Sequence, residues 1–213
     1  MRRRFLLETD RKLLDYYLAL KSPEAAEWNL SPECLYAECM TRDYVRRYVA
    51  LKDGIRVCNV GIGTGDWDDY LGYWLNGTGT LTSIDLDPEI CSIFSMRQHL
   101  EGHPNRSMVK NQSIFDVDLP SAYFDLVTLI GSTVNETGDF DRCIDACMSL
   151  LKREGCLLFM AHLSRNPVKE LVDYAKDRDL RIEQLEQYDT FSKYPFYICK
   201  LKRNSLQNEI SKP

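Results

Sequence analysis

Two textures of hydrophobic and polar positions follow one another along the chain. Through about residue 52 the apolar positions recur at helical spacing. Leu13, Leu14, Tyr17 and Leu18 form one stripe, and Tyr44, Val45, Tyr48 and Val49 form another. Ser31-Pro32-Glu33 reads as a helix start, with Ser as the cap and Pro at the first helical position, and Thr41 reads as the cap of a further helix. From Ile55 onward, short buried runs alternate with amphipathic segments. Strands are predicted over Ile55–Val60, Leu81–Ile84, Met108–Gln112 and Phe124–Ile130, and from Gly155 through Ala161. Between them lie a helix carrying Trp67, Tyr70, Leu71, Trp74 and Leu75, one started by Asp87-Pro88, and one from about Asp139 to Lys152. Another helix follows Asn166-Pro167. Two final strands, about Leu180–Tyr188 and Phe196–Leu201, have no helix between them.

Strand–helix alternation with short loops implies parallel βαβ units. The expected fold is a doubly wound, Rossmann-like α/β sheet of seven strands, mostly parallel. The last two strands leave no room for a crossover helix, so one antiparallel strand is expected. Residues 1–52 are read as an N-terminal helical cap, 53–203 as the sheet domain, and 204–213 as a polar, frayed tail.

Composition narrows the class. The 213 residues are 44% hydrophobic and 28% charged, enough for a core without disulfides or metal. No apolar run approaches the roughly 20 residues that span a bilayer. The basic start, Arg2 to Arg4, is followed by Glu8, Asp10 and Arg11 rather than an apolar stretch, so a cytoplasmic protein is expected. Eight cysteines without a C-x-x-C pair fit reduced core residues. Cys143 and Cys147 stand one helical turn apart, but on an apolar stripe. No cluster has metal-ligand spacing, and no metal is expected. The net charge is −5 and the basic clusters are short, which disfavours a nucleic-acid partner.

The chemistry concentrates where the first strand ends. Gly61-Ile62-Gly63-Thr64-Gly65 lies between a strong strand and an amphipathic helix, where a glycine turn lets backbone approach a ligand closely. Asp85 ends the second strand 20 residues after Gly65, placed to accept hydrogen bonds from two ribose hydroxyls. Asp87, before Pro88, is the better helix cap, which leaves Asp85 for a ligand. Dinucleotide sites favour G-x-G-x-x-G, but here the third position is Asp66. Asp66, Asp68 and Asp69 crowd the first helical turn. They would repel a pyrophosphate and tolerate a cationic ligand.

Val57 to Gly65 resembles motif I of class I S-adenosylmethionine (SAM)-dependent methyltransferases, and Ser83-Ile84-Asp85-Leu86-Asp87-Pro88-Glu89 resembles their second motif. Leu119-Pro120 with Phe124-Asp125-Leu126-Val127 is similar to the family's entry into strand four. Leu150 to Leu157 is similar to the turn before strand five. The resemblance implies SAM as cofactor, held by Asn59, Gly61, Gly63, Gly65, Asp85, Leu86 and Gly131, with Ser113, Ile114 and Phe115 as the adenine wall. Asn59 stands where the family usually carries an acid, and Arg153-Glu154 replaces its usual Pro-Gly.

The implied reaction is in-line transfer of a methyl group to an acceptor at the C-terminal ends of strands four and five. His162 and Asn135 are the candidate catalytic residues there. Trp28, Tyr36, Ser132, Thr133, Tyr188 and Tyr194 are the candidate acceptor contacts. A small-molecule acceptor is expected. The nucleic-acid alternative lacks the proline motif of base methylases after strand four, where the chain reads Gly131-Ser132-Thr133-Val134. A SAM-binding protein without catalysis is the other alternative. Neither the atom methylated nor the oligomeric state is legible.

Overall fold

From Arg56 onward strands and helices alternate, except that strand Met108–Asn111 leads directly to Phe124–Ile130 and Leu180–Tyr188 to Phe196–Arg203, in the computed structural model, which describes residues 8, 11, 31–131, 133–190 and 193–204. Trp28, Ser132 and the expected tail beyond Asn204 lie outside the described residues. The elements run α1 (Pro32–Tyr48), β1 (Arg56–Val60), α2 (Asp66–Leu75), β2 (Thr80–Asp85), α3 (Pro88–Leu100), β3 (Met108–Asn111), β4 (Phe124–Ile130), α4 (Thr133–Glu136), α5 (Phe140–Leu150), β5 (Leu151–His162), α6 (Val168–Asp177), β6 (Leu180–Tyr188) and β7 (Phe196–Arg203).

The seven strands form one sheet in the order β3-β2-β1-β4-β5-β7-β6. Every pairing is parallel except those of β7, which runs antiparallel to both β5 and β6. The single antiparallel strand is therefore inserted beside β5, and β6 forms the edge. The order reverses between β1 and β4, where open α/β sheets bind ligands at the carboxyl ends of the strands.

Alternate residues of each strand feed opposite faces. Cys58, Val60, Val127, Leu129, Leu157 and Phe159 pack under α5 and α6, with Ile144, Cys147, Leu171 and Tyr174. On the other face Val57, Leu81, Leu126 and Leu158 pack with Leu71 and Leu75 of α2 and Tyr44 and Val45 of α1. Cys143 and Cys147 are buried in the first of these cores, and all eight cysteines are free thiols. Among the described residues no helix is long and apolar enough to cross a membrane.

Two boundaries differ from the sequence reading. Thr41 does not cap a second helix: α1 continues through it, and its hydroxyl donates to the Ala37 carbonyl at 2.7 Å, satisfying it inside the helix. Ser31 caps α1 by accepting from the Cys34 N–H at 3.1 Å, as its sequence suggests. β5 begins at Leu151, four residues before Gly155. Leu151 pairs with Phe124, but Cys156 pairs with Leu126, so Lys152 to Gly155 form a bulge. A Cβ on Gly155 would lie 2.9 Å from the Phe124 carbonyl oxygen, which is why a glycine closes that bulge.

Candidate cofactor and acceptor site

A single cavity of about 1340 Å³ runs along the carboxyl edge of the sheet from β2 to β5. That exceeds the roughly 300–1,000 Å³ of a typical small-ligand site. Its β1–β2 end is formed by Gly61 to Thr64, Asp66, and Asp85 to Pro88. Ile130, Gly131, Thr133 and Glu136 follow from the end of β4 and α4, then Met160, His162, Ser164 and Arg165 from the end of β5. Tyr194 closes that end, and Cys34, Ala37, Glu38, Thr41 and Arg42 of α1 form the wall.

The loop between β1 and α2 is built from left-handed glycines. Gly61, Gly63 and Gly65 have φ of +87°, +54° and +82°, a region costly for any side chain. Gly61 lies against Thr133, which leaves no room for a Cβ, and a Cβ on Gly65 would come within 2.6 Å of Phe94 and Arg97 on α3. Gly63 faces open space. The loop is drawn onto the end of β2 by Asp85, whose carboxylate accepts from the N–H of Ile62 at 2.8 Å, of Gly63 at 3.4 Å and of Asp87 at 2.9 Å. Asp87 caps α3 by accepting from Glu89 and Ile90, leaving Asp85 at the cavity rim. Leu86 beside it is 73% exposed, an apolar side chain held in water at the mouth of the cavity.

Beneath this loop is a polar network that the sequence does not announce. Asn59, Ser83 and Thr128 are direct neighbours across β1, β2 and β4, all facing α2 and all buried. The Asn59 amide donates to the Gly61 carbonyl at 2.8 Å and to Asp68 at 2.9 Å, and accepts from the Thr128 hydroxyl at 2.8 Å. Asp68 accepts from Ser83 at 2.5 Å, Ser83 meets Ser107 at 2.6 Å, and the Trp67 indole donates to Thr128 at 3.1 Å. Burial pushes the Asp68 carboxyl up to about 7, against the lowering pull of its bonds from Ser83 and Asn59.

The three carboxylates at the start of α2 thus have three fates. Asp68 is buried under the helix. Asp69 pairs with the buried Arg97 at 2.6 Å, and Asp66 lines the cavity, accepting from the Thr64 hydroxyl at 2.7 Å. Only Asp66 fulfils the expectation of an acidic ligand-facing turn. The periodicity of α2 held the signal for Asp68, which stands three residues before the core position Leu71.

The remaining candidates divide. Gly61, Gly63, Asp85, Leu86, Gly131, Thr133, His162 and Tyr194 all line the cavity. Asn59 does not: both ends of its amide are spent on the protein, and it braces the loop from behind. Gly65 is buried behind the same loop, at the start of α2. Ser113, Ile114 and Phe115 lie away from the cavity: Ile114 is in the core, the Arg142 guanidinium covers the Phe115 ring at 4.0 Å, and Ser113 accepts from the Phe115 N–H. Asn135 on α4 stands outside the lining as well, with its side-chain nitrogen buried. Tyr36 and Tyr188 pack with Phe196, Tyr188 stacking on it at 4.9 Å and Tyr36 meeting it edge-on at 5.9 Å. The same Phe196 ring supports His162 edge-on at 6.4 Å, so these tyrosines back the histidine rather than face the cavity.

His162 ends β5 half-buried. Burial holds its imidazole below the usual histidine range, a hydrogen bond with the Tyr194 backbone opposes that shift, and the nearby Arg165 charge adds to it. A neutral imidazole is a proton acceptor at neutral pH. Among the described residues no group of three or more His, Cys, Asp or Glu side chains is placed to hold a metal ion.

The loop, the acid ending β2 and the turn before β5 fall within residues 57–155, which match the family model described as a methyltransferase domain. Over those residues, just under half of its length, the chain is similar to methyltransferase domains. No curated protein matches it in sequence. Solved structures share its fold. A SAM-dependent methyltransferase from Aquifex aeolicus is 17% identical with a TM-score of 0.65, covering 88% of this chain and 97% of its own. The magnesium protoporphyrin IX methyltransferase of Synechocystis, solved with bound SAM, is 16% identical with a TM-score of 0.67, covering 91% and 97%. An rRNA methylase from Streptococcus thermophilus is 16% identical with a TM-score of 0.58, covering 79% and 97%.

The residues present fit SAM. The glycine loop is open to close approach, the Asp85 carboxylate at the end of β2 would hold a ribose, and Asp66 would suit a ligand that carries a sulfonium and an amine.

Proposed function

We propose that the protein transfers a methyl group from SAM to a small organic acceptor bound at the β4–β5 end of the cavity. The observation that carries this reading is the length of the cavity. Beyond the glycine loop and Asp85 it continues past Gly131 and Thr133 to His162, so a second molecule has room beside the cofactor. The cofactor supplies an electrophilic methyl on a sulfonium whose C–S bond breaks with the electron pair kept by sulfur. The chain's task is placement. Ile130, Met160 and the α1 wall exclude water, and the fixed edge of the sheet holds the two ligands at near contact, which removes several kcal/mol of barrier. His162, kept neutral by burial, takes the proton that the acceptor loses.

A small acceptor is favoured over nucleic acid by charge. The net charge is −5, and two of the three arginines lining the cavity, Arg42 and Arg97, are paired to carboxylates. Calorimetric titration with S-adenosylhomocysteine tests the cofactor half of the proposal. Asp85→Ala is expected to weaken that binding by about 1.5–3 kcal/mol, the worth of hydrogen bonds to a charged group. A folded variant with unchanged affinity would reduce Asp85 to a loop fastener. Formation of S-adenosylhomocysteine with small-molecule acceptors, compared with tRNA, tests the other half.

A further inference from the structure

We propose that the methyl acceptor carries a single carboxylate and that Arg165 holds it. This rests on the methyltransferase reading above. Three arginines line the cavity. Arg97 is buried and paired with Asp69 at 2.6 Å, and Arg42 is paired with Glu38 at 3.1 Å. Arg165 has neither an ion pair nor a side-chain hydrogen bond among the described residues. The acidic side chains Asp66, Asp85 and Asp87 gather at the ends of β1 and β2. Arg165 stands at the end of β5, three strands away from β2 in the sheet, or about 14 Å at the usual strand spacing. Glu136 of α4 adds an acid after β4, so the acids run from β2 to β4 and the one arginine without an ion pair among the described residues stands at the β5 end. An anionic acceptor is repelled from the β2 end and drawn to the β5 end, and a cationic cofactor is placed the opposite way.

The loop that carries Arg165 is fixed rather than free. The N–H groups of Arg165 and Asn166 both donate to the His162 carbonyl, at 3.1 and 3.0 Å, and Leu163 donates to Pro195 at 2.9 Å. The exposed Arg165 side chain leaves this anchored backbone close enough for its charge to be felt at the imidazole. An acceptor whose carboxylate lies on Arg165 has its remaining atoms against Ile130, Met160 and Tyr194, an apolar stretch suited to a small organic body. The planar guanidinium matches one carboxylate with two parallel hydrogen bonds. Lys193 lies over the Tyr194 ring and does not line the cavity, so a doubly charged phosphate would find one cation where it needs more.

The test uses the full chain loaded with S-adenosylhomocysteine and calorimetric titration with matched pairs: benzoate and benzamide, anthranilate and anthranilamide, sarcosine and sarcosinamide, with phenyl phosphate as a further anion. The expected result is saturable binding of at least one carboxylate, with its amide about tenfold or more weaker. Arg165→Gln should erase that difference with affinity for S-adenosylhomocysteine unchanged, and Arg165→Lys should restore part of it. Carboxylates binding no better than their amides would overturn the proposal, as would a preference that survives Arg165→Gln, or phenyl phosphate outcompeting every carboxylate. The loading step is read first: wild-type protein that fails to bind S-adenosylhomocysteine would overturn the methyltransferase reading and this proposal with it.

Discussion

Asp68 decides how the glycine loop is held. A carboxyl that is 1% exposed, with no cation beside it, is better neutral than charged. Neutral Asp68 can keep accepting from Asn59 and pass its own proton towards Ser83, which is free to donate to Ser107. Linkage fixes the sign. The folded carboxyl titrates near 7 and the unfolded one near 3.8, so between those values the folded state holds the extra proton. The contribution is fully present below pH 3.8, falls as pH rises, and is lost above about 7. Asp68→Asn has the shape and hydrogen bonding of the neutral acid. It is expected to fold, and to flatten the decline of stability between pH 5 and 8 by a few kcal/mol, measured by urea unfolding at several pH values. A variant whose decline matches the wild type would assign the titration to another group. Asp68→Leu, with no acceptor for Asn59 and Ser83, should be about 1–3 kcal/mol less stable than Asp68→Asn at every pH.

At the scale of elements, the glycine loop separates two uses of the same residue type. Gly61→Ala would drive a Cβ into Thr133 and strain a φ of +87° at once, so it should lower the melting temperature of the ligand-free protein. Gly63→Ala adds its methyl to open space in the cavity wall and pays only the conformational cost of about 1–2 kcal/mol. It should melt closer to wild type but lose affinity for S-adenosylhomocysteine. Thermal unfolding with and without that ligand separates the two. Equal melting of both variants would mean that Thr133 moves aside at no cost. The strand–glycine–helix unit and the acid ending β2 were legible because each is a local pattern: an apolar run, a turn that needs positive φ, a capping aspartate followed by proline. The single antiparallel strand was legible too, from the short link between the last two strands. Asn59 was not, and of Asp68 only the burial was legible, from helical period, and not the partners. Their partners, Ser83 and Thr128, come from strands 24 and 69 residues away along the chain from Asn59, and only the register of the folded sheet brings them together. Tyr36 and Tyr188 misread for a related reason: an aromatic near the functional edge looks the same in sequence whether it lines a cavity or supports the ring that does.

On the scale of the whole molecule, α1 joins the two halves of the sheet. The Tyr44 hydroxyl donates to the Gln184 carbonyl at 2.9 Å, Lys200 donates to the Tyr48 carbonyl at 2.8 Å, and the Tyr70 hydroxyl of α2 donates to the Arg42 carbonyl at 3.1 Å. Arg47 adds an ion pair with Glu186 at 2.6 Å, worth little by itself because both side chains are partly solvated. The buried tyrosines and apolar contacts are what hold the helix, and they set its inner face along the cavity wall. The helix follows no cofactor motif, yet five of its side chains line the cavity, which suggests that it shapes the acceptor space. Cys34 tests this. Its thiol is half-buried, lies within hydrogen-bonding reach of Glu38 at 3.7 Å, and is pushed up to about 11 by burial and that acid, so it is no nucleophile and can be replaced for size alone. Cys34→Trp should narrow the cavity from the α1 side. The expected outcome is a fall of about tenfold or more in kcat/KM for the acceptor, with S-adenosylhomocysteine affinity held within about threefold, since the two losses differ by more than 0.7 kcal/mol. Losing both in equal measure would place α1 over the cofactor, and losing neither would make this wall a packing surface that the acceptor never touches.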